Sequence, residues 1–257
     1  MATAARTFIP SGKSAELAER RFFFIMALVM ATVVVAGFSL NLAMGRATFA
    51  VPYYYHMHAV VFMSWLAFYV AQNGLIASGN VALHRRLGLL SLVLVPVMVV
   101  LGFVIMVGSM RRTGGPFFFD QNEFLISNSL MLVLFAGLVG AALTRRRYTG
   151  WHRRLMFCAM AILTGPGLGR LLPMPLLIPH AWRIIVLLTL IFPLIGMIAD
   201  LRRHGRVHPA WLWGAGAILA AQAIGDLVAY SSVGVAITEA VLAGSPGAER
   251  PITAYLP

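Results

Sequence analysis

Cysteine occurs once, lysine once and acidic side chains eight times in 257 residues. With Cys158 alone, no intrachain disulfide, Cys-x-x-Cys zinc site, iron–sulfur cluster or covalent c-type haem attachment can form. Cys158 lies within an apolar block and reads as a small packing residue. Lys13 precedes the first long apolar run, so no retinal Schiff base can form inside a bundle. Charged residues make up 11% of the chain, less than half of the roughly 25% carried by a soluble domain.

The abundant material is apolar: 60% of the residues are hydrophobic and the mean hydropathy is +0.85. A membrane crossing needs roughly 20 such residues in sequence. Blocks of this kind fall at 22–42, 54–78, 87–108, 124–144, 155–173, 183–201 and 210–232. They predict an all-α polytopic membrane bundle of about seven transmembrane helices. The first block follows Arg20-Arg21 but exceeds the ~7–15 residues of an export-signal core, so it reads as a retained helix.

Orientation follows from the arginines. With the N-terminus cytoplasmic, 14 of the 20 basic residues fall inside, leaving Arg46, Arg111, Arg112, Arg170, Arg183 and Arg250 outside. Cytoplasmic loops carry such an excess, which places the C-terminus outside, with the cell membrane as the expected location. The resulting organisation is a cytoplasmic tail over 1–21, a transmembrane domain over 22–243 and an external tail over 244–257. The net charge of +12 is spread in short clusters between apolar blocks. Anionic lipid headgroups are therefore the expected partner and nucleic acid is not. A membrane-protein partner or a homo-oligomer fits the same surface.

The fifth block contains Gly165-Pro166-Gly167-Leu168-Gly169, and proline removes a helix donor while clashing with the preceding turn. A broken helix is expected there, a geometry that transporters use for binding. Leu83-His84-Arg85-Arg86-Leu87 and Trp151-His152-Arg153-Arg154-Leu155 echo one another at the cytoplasmic edge, as a duplicated helix pair would.

Histidines sort by side: His56, His58 and His180 outside, and His84, His152, His204 and His208 inside. On the second helix His58, Trp65, Tyr69, Gln72 and Ile76 share one face by their spacing. Asp226 lies about 22 Å along its helix from Trp211 at 1.5 Å per residue, with Gln222 and Tyr230 one turn to either side. A charge at that depth costs roughly 2.5–3.5 kcal/mol or more, so Asp226 is expected to pair with Arg170 or Arg183. The alternative is an externally open site in which His56, His58, His180, Glu123 and Asp226 hold a transition metal or pass protons. For His84 and His152 the two readings are anchoring to lipid phosphate and axial ligation of a b-type haem. His58 with His180 would supply a second haem.

His58, Gln72 and Leu83-His84-Arg85-Arg86-Leu87-Gly88 carry a resemblance, most specific over 56–102. The chain resembles uncharacterised bacterial multi-pass membrane proteins sharing a His…Gln…Leu-His-Arg-x-Leu-Gly pattern. More loosely it is similar to cytochrome b561-type proteins. That similarity implies histidine-ligated haem at His58, His84, His152 and His180, and electron transfer across the membrane. Three functions are therefore carried forward: haem- or metal-linked redox chemistry, small-molecule or ion transport through the broken fifth helix and Asp226, and a non-catalytic membrane subunit.

Overall fold

The structure, a computed structural model, describes residues 12–256, with side chains from Glu16 onward. Arg6 and the Lys13 side chain lie outside what is described. Every regular element in it is helical. In chain order the α-helices are α1 (Gly12–Ala43), α2 (Tyr53–Ala77), α3 (Val81–Gly88), α4 (Ser91–Thr113), α5 (Gln121–Thr144) and α6 (Thr149–Leu163). They continue with α7 (Gly165–Leu171), α8 (Ala181–Thr189), α9 (Ile191–His204), α10 (Pro209–Ala229) and α11 (Ser232–Leu242). Short 3-10 turns at Met174–Leu177 and Pro246–Glu249 complete the chain.

Among the described residues, six stretches are long and apolar enough to cross a membrane: Glu16–Ala43, α2, α4, α5, the continuous run Ala181–His204, and α10. The fifth predicted block is divided between α6, of 15 residues, and α7, of 7. Pro166 explains the division. It has no N–H to return to Ile162, so the Thr164 amide and hydroxyl both turn back to the Ala161 carbonyl, at 3.1 and 2.6 Å. Pro193 does the same between α8 and α9, where the Leu190 amide donates to Leu187 O at 3.1 Å. A proline four residues ahead deprives a carbonyl of its partner and tightens the last turn.

Three features differ from the sequence reading. The block 87–108 becomes α4, starting only at Ser91, and is preceded by a separate helix, α3, capped where the Leu83 amide donates to Asn80 Oδ1 at 3.2 Å. The last crossing ends at Ala229, and α11 follows as a helix of its own. Residues after Gly244 fold back onto the bundle. There the Arg250 guanidinium donates to the carbonyls of Gly114, Gly115, Pro116, Phe117 and Phe119.

α5 sits between α4, α6 and α10, while α1 packs on α2 and α7. The core holds Trp65, Phe135, Phe157 and Trp211. Large apolar side chains such as Val60, Leu92, Val93, Leu212 and Leu227 are exposed on the outside. Apolar surface on this scale is costly in water and is at home in lipid.

Candidate functional site

Polar side chains gather at three places. Two are at the arginine-rich end, where α1 begins and α6 starts, and one is at the opposite end, where α5 and α8 start.

The largest group centres on Arg154, of which only 2% is exposed. Its Nε donates to Asp200 Oδ2 at 2.8 Å and its Nη2 to Asp200 Oδ1 at 2.5 Å and Glu19 Oε1 at 3.0 Å. Arg153 adds a second cation to Glu19 at 2.6 Å. Asp200 Oδ2 also accepts from Trp211 Nε1 at 2.9 Å and from the His208 amide at 3.2 Å. One guanidinium thus joins α1, α6 and α9, with α10 held through Asp200. Glu19, Asp200 and His204 are the one group of histidines and carboxylates, among the described residues, close enough to share a metal ion. Two arginines already lie on those carboxylates, so a dication would have to displace them. The sequence reading placed Arg153 and Arg154 at lipid headgroups and singled out neither Glu19 nor Asp200. The burial of a Trp-His-Arg-Arg run against α9 is tertiary information that a headgroup-like motif conceals.

The second place is the His84–His152 pair, whose ring centroids are 6.3 Å apart and nearly perpendicular. Both imidazoles have a partner on Nδ1. In the carboxamide orientation that satisfies both of its polar atoms, the buried Gln72 side chain, reaching over from α2, donates to His84 O at 3.2 Å and to His84 Nδ1 at 2.5 Å and accepts from Gly88 N at 3.0 Å. His152 Nδ1 lies 2.9 Å from the carbonyl of Ala142. A carbonyl only accepts, so His152 carries its proton on Nδ1 and leaves Nε2 bare. Gln72 donates to His84, so neutral His84 carries its proton on Nε2. A haem ligand offers iron a bare Nε2 while its Nδ1–H is donated elsewhere. His152 fits that requirement and His84 does not.

At the opposite end Arg183, in the first turn of α8, meets Asp226 of α10 through Nε at 3.0 Å and Nη2 at 3.3 Å. Gln222 Nε2 donates to Asp226 Oδ1 at 2.9 Å, and Trp182 Nε1 donates to Gln222 Oε1 at 3.0 Å. Glu123, from the first turn of α5, is 1% exposed. Its Oε1 lies 3.5 Å from Arg183 Nη2 yet has no hydrogen-bond partner among the described residues. Tyr230 stacks under Arg183 at 5.4 Å and donates to Asp120 Oδ2 at 2.7 Å. Beside Tyr230 opens a cavity of about 490 Å³, which Asp120, Thr238 and Glu239 also line.

The remaining expected site residues lie elsewhere. Arg170 donates to Pro166 O at 2.8 Å and rests on the Phe38 ring at 3.9 Å, so Arg183 alone reaches Asp226. His58 stacks on Phe62 at 4.1 Å. His56 is exposed on α2, and exposed His180 precedes α8. Among the described residues, His56, His58 and His180 do not join Glu123 and Asp226 as a metal-ligating group. The reason is geometric: Glu123 and Asp226 turn to Arg183, whereas His58 packs on Phe62 of its own helix.

No protein family, curated protein or solved structure matches the chain.

Proposed function

We propose that this chain is a proton-translocating protein of a bacterial inner membrane and that Glu123 is the carboxylate that takes the proton. The supporting observation is the sharing of one guanidinium by two carboxylates. Arg183 is committed to Asp226 through two nitrogens, and Glu123 is buried with Oε1 free of hydrogen bonds. Two carboxylates against one guanidinium leave one net negative charge among the described residues, and an uncompensated intramembrane charge is expensive. A proton removes it with no further ligand. A metal cation would need several oxygen ligands and would stand beside a guanidinium.

In this reading α6 and α7 together make a broken seventh crossing, a form associated with transport. The arginine-rich end faces the cytoplasm, with Arg85, Arg86, Arg145, Arg146 and Arg147 on anionic headgroups. The cavity beside Tyr230 is the external mouth.

The test is proton flux into vesicles reconstituted with the purified protein under an inside-negative potassium diffusion potential, read by a trapped pH dye. Wild-type protein should move protons, and Glu123→Gln should not, while keeping the wild-type helical content and elution volume. Wild-type flux no greater than that of empty vesicles overturns the proposal and leaves the charges as bundle locks.

A further inference from the structure

The pair formed by His84 and His152 sits on elements that the Glu123 site does not touch, and its hydrogen bonds assign opposite tautomers to two adjacent rings. Gln72 sets the first, because its amide nitrogen has two acceptors, His84 O and His84 Nδ1, and its oxygen has one donor, Gly88 N. Reversing the carboxamide would put oxygen against oxygen and N–H against N–H. The Ala142 carbonyl sets the second. The two neutral rings thus carry their protons on different nitrogens, with ring centroids 6.3 Å apart. At that spacing a charge on one ring acts directly on the other.

We infer that His84 and His152 form a proton-binding station at the arginine-rich end, taking up one proton between them, and that they do not hold haem. The inference extends the proton-translocation reading to the other end of the bundle. The test reads the pair itself, so either can fail without the other.

The charge surroundings favour a single proton. α2 brings the neutral Gln72, α3 brings Arg85, and the segment after α5 brings Arg146. No carboxylate faces the pair in these contacts. Burial first, then the neighbouring His152, hold His84 below its ordinary 6.5. Once one imidazolium forms, a second beside it meets a like charge at close range and two arginines nearby. At His84 the folded state thus binds fewer protons than the unfolded chain below about pH 6.5, so this histidine subtracts stability as pH falls through that range.

The experiment is nitrogen-15 NMR on histidine-labelled full-length protein in lipid nanodiscs, with resonances assigned by His84→Gln and His152→Gln. At neutral pH the expected spectrum has His152 protonated on Nδ1 and His84 on Nε2. On acidification the pair should take one proton, below the ordinary histidine range, and the second should follow only at still lower pH. Should one variant fail to fold, the other still assigns both rings by difference. Gln72→Leu should free His84 to exchange tautomers. Two rings titrating independently at the ordinary value, or both protonated on Nδ1, would overturn the inference. So would a Soret band that disappears in His84→Gln.

Discussion

Arg154→Leu should destabilise the bundle by about 3–5 kcal/mol, the cost of breaking a buried ion pair by removing one partner. The expectation follows from how many groups depend on this guanidinium. It bridges Glu19 and Asp200, which are 5% and 3% exposed. Leucine would fill part of the volume and leave the Asp200 carboxylate facing only Trp211 and the His208 amide. Arg153 retains Glu19 at 2.6 Å but makes no ion pair with Asp200. The neighbouring change, Arg153→Leu, is therefore the control. Its side chain is 30% exposed and Glu19 keeps Arg154, so the loss should stay near the ~0–1 kcal/mol of an exposed pair. Equilibrium unfolding in mixed micelles reads both. Equal losses for the two variants would mean that Arg154 is not the centre of the network.

Gly167→Val should be the most damaging change among the glycines of the broken helix. A Cβ at Gly167 would lie 2.7 Å from Val34 Cα and 3.0 Å from Val33 O, both backbone atoms of α1. Gly37 faces the Gly167 carbonyl from the other side of the same contact. Backbone cannot move aside as a side chain can, so α1 and α7 must separate. Overpacking costs about 1–3 kcal/mol, and valine on this contact should reach at least the upper end. Gly137→Ala, on an exposed face of α5 with open space around it, should instead be neutral or gain up to about 0.5–1 kcal/mol. Thermal melting of the two variants beside wild type separates the outcomes. A Gly167→Val protein melting with wild type would show that α7 does not rest on α1 as described.

Much of this architecture is legible in apolar block lengths. Trp65, Tyr69 and Gln72 share a buried face of α2, as their spacing implies. The fifth block breaks within its Gly-Pro-Gly run because a missing amide is a local property. Asp226 finds an arginine because an intramembrane charge requires one, and the depth of Asp226 is readable from helix rise. What sequence could not supply was the choice among partners. Arg170 and Arg183 looked equivalent along the chain, yet Phe38 and Pro166 hold the first while α8 aims the second at α10. The two His-Arg-Arg runs looked like one motif used twice. In the fold Arg85 and Arg86 are exposed and Arg154 is fully enclosed, because α3 lies along the edge of the bundle and α6 enters it. Glu19 and Asp200 carried no sequence signal, since each acquires its meaning only from Arg154.

The central claim is that Glu123 carries an exchangeable proton while Asp226 holds Arg183. Infrared difference spectroscopy of wild-type protein between neutral and alkaline pH, repeated on Glu123→Gln, tests it most directly. The account predicts a carbonyl stretch from a protonated carboxylic acid that shifts in heavy water, disappears at alkaline pH and is missing from Glu123→Gln. A wild-type spectrum without that band, or the same band undiminished in Glu123→Gln, would contradict it.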